Sequence, residues 1–456
     1  MSCEELTMRD EIDLIRQAFS YAQRFKGSVF VFRIGSRLID GPSFPSLLRD
    51  LTLLHENGIR IVLVPSGGTR IDELLAANGI ETRRVNGLRV SPPEAMPLIQ
   101  MAAFDTATRL MNQLARNGVE AVISNWVRAR ACGVIGGVDF QRTGLVDKVY
   151  VDLLVRSMDD DFVPILPCIG WSSIGETYNI SSVDLATRLA VGLKARKLFF
   201  LTEGEPLSLM LIDPSREGIG VHDGCVSRMT PQAAASIAED PSVAMAPSDR
   251  DILVHSVAAC KEGVERIHII DGDMDGSVLK EIFSSWGYGI MVHSDPFENI
   301  RPMRSDDIAL VLRIMEGPVE QGILVRRTET DLQRRLADYA VFESDGTVRG
   351  CGALYRFPPD RGELAAIAVD PGYGRQGIGE RIVKYLLGEA RKAGLAGVFL
   401  LTTKTADWFL RLGFAPGTVE DLPPERRSTY DITRNSRIYT QGLGRGNSQV
   451  GDGEEA

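Results

Sequence analysis

The chain has 456 residues, more than one hydrophobic core ordinarily fills, so at least two domains are expected. With 44% hydrophobic and 25% charged residues and 45 glycines it has the composition of a soluble α/β protein, and a formal net charge of −10 disfavours nucleic acid, whose phosphates attract an excess of Lys and Arg. No run approaches the roughly 18 apolar residues of a membrane span, and the start MSCEELTMRDEIDL is charged where a secretion signal is apolar, so a cytoplasmic protein without membrane contact is expected. The six cysteines (Cys3, Cys132, Cys168, Cys225, Cys260, Cys351) include no CxxC pair, which argues against a metal site and a disulfide framework. The last histidine is His293, so any catalysis beyond it works without imidazole.

In chain order, Ile12, Ile15, Phe19, Ala22 and Phe25 recur at spacings of three and four and predict an amphipathic helix over residues 8–26, within an N-terminal segment 1–27. From Ser28 the runs SVFVFRI, IRIVLVP, FVPILPCIG and KLFFL read as strands, alternating with helical stretches such as 43–56 and 182–195. That alternation predicts βαβ units on a mostly parallel sheet, forming a domain over 28–292. HSDPFEN, 293–299, reads as a linker. A smaller α+β domain is expected over 300–443, with a helix from about Asp306, strands near 338–343, 350–356 and 363–369, a helix over 377–393 and the strand GVFLLTT. The tail 444–456, GRGNSQVGDGEEA, is glycine-rich and acidic and is expected to be disordered.

The densest chemical signal is ELAAIAVDPGYGRQGIGERIVKYLLGEA, 363–390, where an apolar strand enters a glycine-rich turn that opens into a helix. Gly377 and Gly379 let backbone approach a ligand closely, and the free N–H groups and positive dipole end of the helix attract a pyrophosphate. The segment resembles the coenzyme-binding motif Q/R-x-x-G-x-G/A of the GCN5-related N-acetyltransferases, with Gly374 where the first Gln or Arg is usual and Leu412-Gly413-Phe414 as a second hallmark. The resemblance implies acetyl-CoA as co-substrate, no metal, and a binding site formed by Gly374, Arg375, Gln376, Gly377, Ile378 and Gly379, with main-chain groups of Ile367 and Val369 on the pantetheine arm.

EQGILVRRTETDL (320–332), CGALYRF (351–357), LLTTKTADWFLRLGF (400–414) and TYDITRNSRI (429–438) resemble, in this order, the C-terminal domain of bacterial N-acetylglutamate synthases. By that resemblance the acceptor is L-glutamate, with Arg326 and Arg434 on its carboxylates, a role suited to planar bidentate donors, and Ser436 as a supporting donor. Arg327 competes with Arg326. The acceptor ammonium must lose a proton before it can attack a thioester, and in a histidine-free domain the carboxylate of Glu363 is the expected base. Thr402 is the expected donor to the leaving thiolate. Cys351, the one cysteine beyond His293, falls in a core strand, which favours direct attack over a covalent enzyme intermediate.

The first 290 residues resemble the amino-acid kinase fold, acetylglutamate kinase above all, through VFRIGS (31–36), VPSGGTRI (64–71), NGLRVS (86–91) and NISSVD (179–184). Arg33 replaces the kinase lysine, Ser36 and Ser66 replace loop glycines, and Val183 stands at the catalytic aspartate, so phosphoryl transfer is not expected. Arg89 stands where the kinases hold a substrate carboxylate. GVERIHIIDGDMDGSVLKEIFSSWGYG, 263–289, resembles the effector segment of arginine-inhibited members, implying that Tyr21, His268, Glu281 and the Gly287 carbonyl surround L-arginine in a homo-oligomer, hexameric by resemblance. The expected whole is an α/β protein, an amino-acid-kinase-like domain followed by a GCN5-related N-acetyltransferase domain. An active kinase and a non-catalytic sensor of arginine and coenzyme A are the rival readings.

Overall fold

The computed structural model describes residues 22–85, 87–204, 212–213, 216–222, 225–283, 289–293, 298–344, 347–373, 377–404 and 406–443. Tyr21, Gly287, Gly374, Arg375, Gln376, most of the expected N-terminal helix and the tail 444–456 therefore lie outside the described residues. The chain divides into two compact units, Met1–Asp295 and Pro296–Ala456.

In the first unit, nine described strands form one sheet: β1 (Val29–Ile34), β2 (Arg60–Pro65), β3 (Ala121–Ile123), β4 (Val163–Ile165), β5 (Lys197–Thr202), β6 (Ile219–His222), β7 (Cys225–Met229), β8 (Arg266–Asp271) and β9 (Ile290–His293). Their order is β6-β7-β9-β8-β5-β1-β2-β4-β3. The pairs from β8 to β3 are all parallel, as the alternation of strands and helices predicts, while β8 with β9 and β6 with β7 are antiparallel. Both faces are covered, which is why VFVFRI is apolar except at Arg33, whose guanidinium is held by Ser182 and the Leu201 carbonyl. Phe30, Phe32 and Ile34 enter one core layer, and Val31 enters the other with Val62 and Val64.

The run FVPILPCIG is not one strand. β4 stops at Ile165, and Ile169–Trp171 joins a closed barrel with the described strands Val127–Ala131, Thr143–Val149 and Thr177–Ile180. Pro167, which has no N–H to give a ladder, sits at the break. At the two ends of the segment read as a linker, β9 takes His293 and a strand opens at Glu298. Arg301 on that strand is held by Glu343 and by both oxygens of Asp307, at 2.7 and 3.0 Å, which fixes the chain at once.

In the second unit the described strands are β10 (Glu298–Pro302), β11 (Tyr339–Ser344), β12 (Thr347–Phe357), β13 (Arg361–Val369), β14 (Gly397–Thr402), β15 (Ala415–Gly417) and β16 (Arg437–Gly442), in the order β10-β11-β12-β13-β14-β16-β15. The helix Ile378–Lys392 buries Ile378, Ile382, Val383, Leu386, Leu387 and Ala390 on one face of this sheet. Each buried Ile, Val or Leu among them contributes about 1.5–3 kcal/mol. The helix lies directly on β12, since a Cβ on Gly352 would come within 2.6 Å of Ile382. The helix Ile308–Glu320 covers the other face through Val311, Ile314 and Met315.

Candidate active site

The parallel pair β13 and β14 is joined from Arg361↔Gly397 only as far as Leu364↔Leu400. Beyond that point β13 stays paired with β12 to Val369 and β14 stays paired with β16 to Thr402, so two neighbouring strands part in mid-sheet. The main-chain edge of β13 after Leu364 thereby has no strand partner among the described residues. A bulge accompanies the parting: Ala366 has φ 53°, and Ala366 and Ile367 together oppose Gly352. The extra residue reverses the strand's facing. Leu364 packs with the helix Ile378–Lys392, but after the bulge it is Ile367 and Val369 that face that helix, while Ala366 and Ala368 join the opposite core.

Gly377 caps the helix with φ 68°, a left-handed conformation that disfavours any residue carrying a Cβ, and no side chain caps the helix there. The helix start at Gly377, Ile378 and Gly379 therefore carries N–H groups with no side-chain cap among the described residues, and Gly379 lies close to Val369 of β13. Of the coenzyme residues expected, Ile367, Val369, Gly377, Ile378 and Gly379 come together here.

Glu363 pairs with Phe399, so both side chains lie on the face of Phe399, Leu422 and Ile438. Thr402 is out of phase with Phe399 and shares the face of Val398 and Leu400, toward the helix Ile378–Lys392. Both are buried, and they sit on opposite faces of the parting strands. Glu363 is not solitary. Arg426, on the helix Pro424–Ser428, donates from Nε to Oε2 at 2.8 Å and from Nη2 to Oε1 at 3.1 Å. Sequence reasoning missed this arginine, because a basic pair in LPPERRS reads as a solvated face and its partner is 63 positions away.

Arg434 donates from Nη2 to the carbonyls of Gly322 and Ile323 at 3.0 and 3.2 Å, which brings the 429–438 motif onto the loop that leads to Arg326. Its Nε and Nη1 make no hydrogen bond among the described residues. Arg326 is exposed, whereas Arg327 is drawn inward, with Nε 3.3 Å from the Tyr355 hydroxyl and that hydroxyl 2.8 Å from Tyr339. The Ser436 carbonyl accepts from the Tyr430 hydroxyl at 2.9 Å. Cys351 is fully buried, its thiol pushed up to about 12 by burial, and does not resemble a nucleophile.

In the first unit His268 and Glu281 meet, with Nδ1 2.6 Å from Oε1, and Glu281 Oε2 accepts from the Gly289 N–H at 3.0 Å. Burial first, and then Lys197, holds the imidazole down at about 4, so the ring is neutral near pH 7. Its Nδ1–H then donates to Glu281, and Nε2 is a buried acceptor with no donor among the described residues. Elsewhere in the unit a cleft of about 690 Å³ contains Arg33, Ser66, Gly67, Gly68, Arg89 and Val183. Arg89 is held by Asp72 at 2.6 Å and Thr82 at 3.0 Å, and Arg33 by Ser182 and the Leu201 carbonyl, both at 3.2 Å. Among the described residues no group of three or more His, Cys, Asp or Glu stands close enough to hold a metal ion, and no helix is long and apolar enough to cross a membrane.

Parted strands beside a glycine-opened helix, preceded by a kinase-like sheet, define an N-acetyltransferase with an appended kinase-fold unit. Residues 28–209 match the amino acid kinase family, and residues 313–414 match the acetyltransferase (GNAT) family. The amino-acid acetyltransferase of Ralstonia nicotianae is 33% identical over 95% of both chains, and that of Azotobacter vinelandii is 33% identical over 96% of this chain and all of its own. The crystal structure of N-acetylglutamate synthase from Neisseria gonorrhoeae complexed with coenzyme A and L-arginine is similar at a TM-score of 0.81 and 31% identity, covering 95% of this chain and 99% of that one. A second structure of the Neisseria gonorrhoeae enzyme, complexed with coenzyme A and N-acetyl-glutamate, is similar at 0.58 and 33% over the same shares. The chain belongs to the amino-acid acetyltransferase family.

Proposed function

We propose that this enzyme transfers the acetyl group of acetyl-CoA to the amino group of L-glutamate in the unit carrying residues 300–443, and that L-arginine, held in the unit carrying 28–292, regulates the rate. The observation that carries the reading is the parting of β13 from β14 with Glu363 and Thr402 on opposite faces. A thioester between the strands would meet a base on one side and a donor to its sulfur on the other. The free edge of β13 at Ile367 and Val369 suits the amide-rich pantetheine arm, and the N–H groups about Gly377, Ile378 and Gly379 suit the pyrophosphate, with Gly374, Arg375 and Gln376 completing that turn.

Glu363 takes the ammonium proton, directly or through a water, the freed amine attacks the thioester carbon, and Thr402 donates to the departing thiolate as the C–S bond breaks. Arg434 is anchored through Nη2, which leaves Nε and Nη1 for a substrate carboxylate. Arg326 and Ser436 complete the acceptor site. For regulation, the lone acceptor Nε2 of His268 fits a guanidinium N–H, with Glu281, Tyr21 and Gly287 in the same site. The enzyme works in the cytoplasm as a homo-oligomer, a hexamer.

The test measures free thiol from acetyl-CoA with L-glutamate, with and without arginine, beside a phosphorylation assay with ATP and N-acetylglutamate. Thiol release that requires glutamate and ignores ATP supports the reading. ATP-dependent phosphorylation at a comparable rate overturns it.

A further inference from the structure

We propose that Arg426 is a positioning residue for acetyl transfer, fixing the Glu363 carboxylate in the orientation that receives the proton. The proposal rests on Glu363 being the base. Four strand positions hold β13 to β14 before they part, and Glu363 occupies the third of them. An unrestrained glutamate there would sample several rotamers, and ordering such a side chain has an entropic cost. The Arg426 fork meets both carboxylate oxygens, at 2.8 and 3.1 Å, and so fixes the plane of the group as well as its place. Each oxygen has a further lone-pair direction, so the clamp orients the carboxylate without closing it to a proton.

The adjacent Arg427 shows what a segment anchor looks like. It donates to the carbonyls of Glu420 and, at 3.2 Å, Leu422, binding its own loop together. Arg426, beyond long contacts from Nη1 to Thr429 at 3.4 and 3.5 Å, turns inward to a strand 63 positions earlier in the chain, and its contact there, Glu363, is the position of β13 paired with Phe399. Misplacing a reacting group by a fraction of its productive geometry lowers turnover far more than it lowers binding.

The experiment is a double-mutant cycle on the full chain, read as kcat and the two KM values from thiol release. Arg426→Met should lower kcat about 10- to 100-fold with the acetyl-CoA KM little changed, and Arg426→Lys, a point contact in place of a fork, should recover part of it. In the Glu363→Gln background Arg426→Met should cost less than about 2-fold, because there is no base left to position. An equal loss in both backgrounds, or a loss confined to KM, overturns the positioning role. If Glu363→Gln alone leaves kcat intact, the base assignment fails and the proposal fails with it, an outcome that the single variant separates from the others. Thermal melts of each variant exclude unfolding as the cause.

Discussion

Glu363 in the transferase unit and Glu281 in the kinase-like unit are both buried carboxylates with a nitrogen partner, yet their partners differ in kind. Glu363 faces a guanidinium that stays charged at any physiological pH and takes both oxygens in one plane. Glu281 faces a neutral imidazole and a backbone N–H, and the far nitrogen of that imidazole is an acceptor with no donor among the described residues. The first arrangement is finished and suits a group that must be found in one place at every turnover. The second is open on one side and suits a site completed by an arriving ligand.

The comparison breaks most visibly at Glu363. Glu363→Gln should lower kcat about 10²- to 10⁴-fold, the usual range for a general base, with acetyl-CoA binding nearly unchanged. Retained turnover in steady-state thiol release would remove the base.

On the other side, His268 links the effector region to pH. Its folded value, about 4, lies below the ordinary 6.5, chiefly through burial, so the unfolded chain binds more protons between those values. Stability is then complete above about pH 6.5 and is lost as pH falls toward 4, by up to about 3 kcal/mol. Denaturant midpoints across that window should rise with pH, and His268→Gln should flatten the rise. A slope that the variant leaves unchanged places the titrating group elsewhere.

Arg434→Ala should raise the glutamate KM about 10- to 100-fold while acetyl-CoA affinity stays nearly intact, since the lost donors face one substrate only. Both affinities falling together would show instead that Arg434 holds the loop at Gly322 and Ile323 in shape.

Part of the candidate site is legible in the sequence alone, because its determinants are local. A glycine that must take positive φ at a helix cap, as at Gly377, leaves a mark in one short motif, and so does the apolar periodicity of the helix Ile378–Lys392. What the sequence hid depends on distant contacts. The bulge at Ala366 has no glycine of its own to announce it and lies opposite Gly352, which the helix approaches closely through Ile382. The Arg426 to Glu363 pair joins a short helix to a strand 63 positions earlier in the chain. The barrel strand at Ile169–Trp171 hid inside an unbroken apolar run, because burial in a barrel and burial in a parallel sheet ask for the same side chains.

The smallest expected effect on basal turnover, and the sharpest division between the regions, belongs to Glu281→Ala. Glu281 pairs with His268 and Gly289 in the first unit and is assigned no part in the chemistry proposed for the second, so kcat and both KM values without arginine should stay within about 2-fold of the parent. The arginine response should nevertheless vanish. A carboxylate that orients the imidazole also fixes which nitrogen is the acceptor, so removing it takes away the fixed proton arrangement at Nε2 together with the negative charge a guanidinium seeks. Regulation from a distance further requires two arrangements of the chain that arginine prefers unequally, and a response that depends on Glu281 but leaves glutamate affinity uncompeted is the signature of that coupling. If arginine instead competes with glutamate and still inhibits the Glu281→Ala enzyme, the effector acts at the acceptor site, and the open histidine has some other use.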